Sequence, residues 1–308
     1  MFRAANALQM DPFAITRRQF LRTAAAAGTF GFLGAGGLGR WEAMCCEVER
    51  TTIFLPTLPE AFEGLRIAFL ADTHHGALVP AGYLRDAVAL ANSLAPDLIA
   101  LGGDYIQRQE RRPAPGTPPP YVAEGIGLLG DLRAPLGVFA VLGNHDNTLD
   151  HRAQIQAALA ANGVCELTNR GVWIERGRGR LRLAGLDELF SGKPTAADLK
   201  HALGDATRTD AVILLQHNPD YAETLRDPRV NLMLCGHTHG GQVVLPFFGA
   251  PIVPSAYGQK YRAGLVQAPT AQVFVTRGVG AIFPPVRFRC PPEVALLTLR
   301  RGRPAQRV

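Results

Sequence analysis

The chain has 308 residues, 47% of them hydrophobic and 19% charged, which is the composition of a folded globular protein and not of a disordered one. That length suits one large α/β domain or two smaller ones. The formal net charge of +6 is uneven: residues 1–40 hold five arginines and one acid, so the body carries only about +2, which argues against a nucleic-acid-binding surface.

Near the start of the chain stands Thr16-Arg17-Arg18-Gln19-Phe20-Leu21-Arg22, followed by an uncharged run from Thr23 to Gly39 rich in Ala and Gly. Twin arginines before a weakly apolar stretch resemble a twin-arginine export signal, which implies the twin-arginine export machinery as a partner and a periplasmic or other extracytoplasmic location. The seventeen uncharged residues lie at the short edge of a membrane span, which needs roughly 17–25. No clean Ala-x-Ala site precedes Arg40, so cleavage and retention as an anchor both stay open. Residues 1–45 are therefore read as a signal or anchor segment and 46–308 as one folded domain. Cys45 and Cys46 follow that segment and are compatible with a vicinal pair, a distant disulfide, lipid attachment or plain thiols. None of the five cysteines has zinc-site or disulfide-framework spacing.

Strands are predicted at 51–55 and 65–70, a helix over 81–94 with Leu84, Val88 and Leu90 on its apolar face, and a short strand at 98–101. A charged, proline-rich loop covers 107–120. A helix at 121–132, a strand at 138–142 and a helix at 150–161 follow. The second half is richer in strands, at 172–175, 181–184, 211–215, 230–234, 272–276 and 294–299. Alternating strands and helices predict a layered α/β fold. Each polar motif stands directly after an apolar strand, where α/β sheets place their sites.

Those strand ends carry Asp72, His74, Asp104, Asn144, His145, His217, His237 and His239, which include five of the eight histidines in the chain. Converging carboxylates, imidazoles and an amide suit divalent Mn, Fe or Zn, with Mn favoured. Asp-x-His and His-x-His put alternate side chains on one side of an extended backbone, so that two can reach one metal. Flanking glycines let the backbone approach closely.

Asp72-x-His74, Gly103-Asp104, Gly143-Asn144-His145-Asp146, His217 and Gly236-His237-x-His239 together resemble the calcineurin-like metallophosphoesterase family. Within it they are similar to the exported bacterial branch, with His217-Asn218-Pro219-Asp220 and the run to Gly240-Gly241-Gln242 as its closest marks. The resemblance covers about residues 60–245 and implies a four-layered α/β/β/α sandwich. It also implies that Asp72, His74 and His239 hold one metal, Asn144, His217 and His237 a second, that Asp104 bridges them, and that His145 faces the leaving group. Two cations would clamp a phosphate and lower the pKa of a shared water. The acid that protein phosphatases carry three residues after their Gly-Asp is replaced here by Gln107, which can orient His145 but argues against a protein phosphatase. Arg108 beside it either touches the substrate phosphate or is a solvated loop charge.

The expected reaction is therefore metal-dependent cleavage of a phosphodiester or pyrophosphate bond. The exported branch points to lipid-linked or envelope substrates such as UDP-diacylglucosamine-type lipid precursors, with possible membrane contact. A general nucleotide phosphodiesterase or phosphomonoesterase and a non-catalytic envelope scaffold are the alternatives. The apolar run from Gly278 to Pro285 reads as a packed loop closing the sandwich, with a lip that meets acyl chains as the other possibility. Lys260, Tyr261, Arg262 and Arg277 are candidate contacts to an anionic head group.

Overall fold

The computed structural model describes residues 37–107, 120–147 and 151–303. Arg108, most of the predicted proline-rich loop and the twin-arginine motif lie outside the described residues.

Two six-stranded sheets stack on one another. The first runs in the order β1 (Glu47–Leu55), β12 (Glu293–Arg301), β2 (Arg66–Leu70), β3 (Leu98–Leu101), β4 (Val138–Ala140) and β5 (Cys165–Glu166). The second runs β10 (Gly264–Gln267), β11 (Gln272–Val275), β9 (Leu232–Cys235), β8 (Ala211–Leu215), β7 (Gly179–Gly185) and β6 (Arg170–Arg176). β2, β3, β4 and β5 pair in parallel, as do β7, β8, β9 and β11, so the motif-bearing strand ends lie side by side within each sheet.

The central strands read as unbroken apolar runs because both of their faces are covered. In β2 the two-residue period sends Ile67 and Phe69 into the space between the sheets and Ala68 and Leu70 outward. Between the sheets Phe69 meets Phe274 of β11 edge to face, with ring centroids 6.4 Å apart. The outer face of the first sheet packs on α1 (Ala81–Ser93), α2 (Pro120–Leu129) and α3 (Arg152–Ala161) through residues such as Leu84, Ile126 and Ile155. That of the second packs on α4 (Ala196–Leu203) and α5 (Tyr221–Thr224) through Leu199, Leu203 and Tyr221. Helix, sheet, sheet and helix are thus the four layers that the family resemblance implies.

Sequence periodicity missed α4, which is only eight residues long. Its signal was Thr195-Ala-Ala-Asp198: the Thr195 side chain accepts from the Asp198 amide and the Asp198 side chain from that of Thr195.

A helical stretch at 37–42 is joined to the body before residue 46. Arg287 N donates to Gly39 O at 2.9 Å, Cys290 N to the Glu42 carboxylate at 2.7 Å, and Ala43 is buried. Cys45 and Cys46 are unpaired thiols.

Candidate dinuclear metal centre

Five loops at the C-terminal ends of β2, β3, β4, β8 and β9 build the site. The first two continue as a zipper beyond their strands, with Asp72 N donating to Gly103 O at 2.8 Å and His74 N to Asp104 O at 3.0 Å. Among the described residues eleven non-glycine residues have positive φ, and five of them are Asp72, His74, Asp104, His237 and His239. Left-handed backbone of this kind costs about 1–3 kcal/mol per residue and persists at sites where the surroundings enforce it. Here it turns side chains from neighbouring loops toward a common point.

Glycines let the loops interlock. A Cβ on Gly143 would lie 2.1 Å from Asp104 Oδ1, and one on Gly236 would lie 2.3 Å from Asp72 Oδ2. The Asp72 carboxylate instead accepts from His237 N at 3.0 Å, and Asp104 Oδ1 accepts from His145 N at 2.8 Å.

The donor atoms converge. Asp104 Oδ2 is 3.3 Å from His217 Nε2, 3.6 Å from His74 Nε2 and 4.0 Å from His145 Nε2. Asp72 Oδ1 is 3.6 Å from His239 Nε2 and 4.0 Å from both His74 and His217 Nε2. His237 Nδ1 lies 2.9 Å from Asn144 Oδ1. All eight predicted residues are thus drawn into one linked cluster. Asp72, His74 and His239 form one compact triad, Asp72, Asp104 and His217 another, and Asp104 also joins His74 and His145.

This arrangement fits cations. The Nε2 atoms of His74 and His239 face each other at 3.0 Å, where neutral imidazoles point lone pairs at the same spot. His217 Nδ1 donates to Gly102 O at 2.8 Å, which fixes the ring and aims Nε2 at Asp104, where Nε2 is buried without an aligned hydrogen bond. Burial pushes the imidazoles of His74 and His237 down to about 3 and that of His239 well below its ordinary value, so their lone pairs are free. Burial acts the same way on His217, but the carboxylates of Asp104 and Asp72 outweigh it and lift that ring to about 10. Burial, opposed by His217 and reinforced by Asp104, raises the Asp72 carboxyl to about 7. Two buried carboxylates facing four imidazoles, three of the rings held neutral by burial, form a donor set that divalent ions would satisfy.

Asp146 is a site residue whose role the sequence reading left unassigned. It is fully buried and accepts from the amides of Asp104 at 2.6 Å, Tyr105 at 2.9 Å and Gly143 at 3.0 Å, tying two metal loops together. Arg287 is a second. Its buried guanidinium donates to the carbonyls of Gly280 at 2.6 Å, Arg277 at 2.7 Å, Cys290 at 3.0 Å and His239 at 3.3 Å. It stands 48 positions from the nearest metal motif, so no local pattern reveals it.

Gln107 turns its amide to the loop after β2, where Oε1 accepts from Leu78 N at 3.4 Å. Of the cations proposed for a head group, Arg277 is paired with Glu293 at 2.8 Å and Lys260 with Glu223. Tyr261 is buried with its hydroxyl on Glu223 at 2.5 Å.

Residues 65–241 match the family model of the calcineurin-like phosphoesterases. The uncharacterized metallophosphoesterase YkuE of Bacillus subtilis is 34% identical over 296 residues, which span 93% of this chain and 98% of that protein. The phosphodiesterase YaeI of Escherichia coli is 32% identical over 297 residues, spanning 92% of this chain and 99% of that one. A transmembrane protein with a metallophosphoesterase domain from Danio rerio is 29% identical over 261 residues, or 80% of this chain and 55% of its own.

Proposed function

Because this chain belongs to the calcineurin-like phosphoesterase family, we propose that it is a two-metal phosphodiesterase of the cell envelope, carried there by the twin-arginine route. That it is a metal-dependent phosphoester hydrolase follows from the family; the envelope location and a lipid-linked substrate are our reading. The observation that carries the substrate is a cavity of about 370 Å³ next to His239. Val243, Pro251, Ile252, Ile282 and Phe283 line it, and such walls suit hydrocarbon attached to the phosphate being cleaved.

In this reading Asp72, His74 and His239 would hold one divalent ion and Asn144, His217 and His237 the other, with Asp104 between them; Mn leads Fe and Zn as the ion expected. When bound, the ions would supply a water of lowered pKa and charge to neutralise the phosphoryl oxygens. The protein's own residues set the geometry. Asp146 and Arg287 fix the loops that carry the donors. His145, held through its amide on Asp104 and packed edge-on against His74 at 4.6 Å, donates a proton to the leaving oxygen as the phosphorus–oxygen bond breaks.

The test is hydrolysis of bis-p-nitrophenyl phosphate against p-nitrophenyl phosphate by the full chain in detergent, metal-stripped and then given Mn. Metal-dependent diester cleavage, lost in Asp104→Asn and His145→Ala, is expected. A folded, metal-loaded chain that cleaves only the monoester would sink the phosphodiesterase reading.

A further inference from the structure

Two long segments beside the metal loops carry no charge, 243–257 and 278–286. In the first, Phe247 and Phe248 stand almost entirely in solvent; in the second, Phe283 does. A solvated segment has no reason to display three exposed phenylalanines without one charge beside them in sequence, and the two segments meet where exposed Ile252 and Phe283 line one cavity.

Hydrogen bonds fasten the backbone that carries these side chains. Leu245 and Gly249 exchange two backbone hydrogen bonds at 2.8 and 3.0 Å, closing a tight turn whose tip is Phe247-Phe248. Gln259 grips the base of that turn, donating to Ala250 O at 2.6 Å. The second segment is fastened by the buried side chain of Gln242, which accepts from Ile282 N at 2.8 Å and donates to Pro284 O at 3.1 Å. Gln242 is three residues from His239, so the second segment is tied to the loop that carries this ring, and the first follows that loop directly in the chain. The 278–286 run is thus part packed loop and part lip: Val279 and Ala281 are buried and Phe283 is not.

The sequence indicates what covers this rim. The uncharged stretch Thr23–Gly39 joins the folded body at the same loop, for Gly39 O accepts from Arg287 N and a Cβ on Gly39 would touch Val286 at 3.3 Å. The exposed rings of Trp41 and Phe283 therefore flank the point where a membrane-seeking segment meets the domain. Exposed Arg289 follows Arg287 by two residues and is a cation that an anionic head group would attract.

We propose that the rim formed by Phe247, Phe248 and Phe283 inserts into a lipid bilayer and holds the metal cleft against the membrane surface. The inference rests on the reading of the enzyme as one that cleaves lipid-linked diesters. It extends that reading by making the folded domain, and not the N-terminal segment alone, the membrane-binding element.

The test uses the full chain with Trp41→Phe, so that Trp173, which stands in the edge strand β6 and stacks on Arg180, is the remaining native reporter. Phe247→Trp and Phe283→Trp are added separately. Each protein is mixed with vesicles of phosphatidylethanolamine and phosphatidylglycerol, with or without bromine on the upper acyl carbons. Insertion to the depth of an interfacial side chain predicts that emission from either new tryptophan falls at least about twofold with brominated lipid while Trp173 is unaffected. New tryptophans quenched no more than Trp173, on chains that sediment with the vesicles through their N-terminus, would overturn the proposal, as would failure to sediment. Bis-p-nitrophenyl phosphate hydrolysis is read in parallel. Quenching without hydrolysis upholds the docking and refutes the phosphodiesterase reading; hydrolysis without quenching does the reverse.

Discussion

Arg287→Met is the sharpest test of how the metal loop is held. The guanidinium is fully buried and makes its bonds to backbone carbonyls, two of them at 2.6 and 2.7 Å. Charge-assisted bonds of that kind contribute about 1.5–3 kcal/mol each, and the longer contacts to Cys290 and His239 add less. Methionine would remove the burial cost of the cation but leave the carbonyls of Gly280 and Arg277 without that donor, because they belong to the main chain; His239 O would keep only its bond from Gln242 N at 3.0 Å. A buried acceptor left unsatisfied costs about 1–3 kcal/mol, so about 2–6 kcal/mol for the Gly280 and Arg277 carbonyls together. At about 2–4 °C per kcal/mol, thermal unfolding followed by circular dichroism should show Tm falling by roughly 4–24 °C. Calorimetric titration of the stripped protein should show weaker Mn binding, since His239 O loses one of its anchors. Arg287→Lys, with the charge but fewer donors, should fall between. A Tm within about 2 °C of the parent together with unchanged Mn affinity would refute the reasoning.

Gly236→Ala should abolish metal binding with a smaller loss of fold, because its Cβ would sit 2.3 Å from Asp72 Oδ2; elemental analysis of the purified variant measures this. His145→Ala should lower kcat by about a hundred- to ten-thousandfold while metal content stays at the parent value, since in the proposed mechanism its side chain protonates the leaving oxygen and holds no ion. Chelation should lower Tm, and restoring free metal to about 100 times Kd should return about 2.7 kcal/mol. In the metal-free protein His217 is lifted from 6.5 to about 10, so its contribution to stability is complete below pH 6.5 and disappears as pH rises toward 10. Urea titrations of stripped His217→Asn and parent should converge over that range, and parallel curves would count against it.

Much of this was legible because two signals coincided. Apolar runs such as Ala211–Leu215 are buried on both faces and announce sheet centres, and β3 and β8 appear at the residues predicted. The polar motifs follow those runs directly, so a strand assignment also located the site. What stayed hidden depends on distance or on short range. β10 is four residues with alternating half-buried and exposed positions, and β5 is only two, too short for any period to show. Asp146 stood within a motif but gave no sign that its carboxylate would bind main-chain amides 41 and 42 positions away. Arg287 resembles any surface arginine until the loops close round it.

The division of the candidate ligands between the two sheets links the core to the chemistry. Asp72, Asp104 and Asn144 follow strands of one sheet, and His217, His237 and His239 follow strands of the other. The site therefore exists only while the two sheets keep their separation. Phe69 sets part of that separation through its edge contact with Phe274, and its ring lies beneath Gly102, where a Cβ would be 2.8 Å from it. The carbonyl of Gly102 in turn receives His217 Nδ1–H at 2.8 Å. A continuous line of contact thus runs from the middle of the sandwich to a ring of the opposite sheet. Divalent ions bound at the top would fasten the same two sheets, so ion binding and inter-sheet packing act on one coordinate, and each strengthens what the other holds.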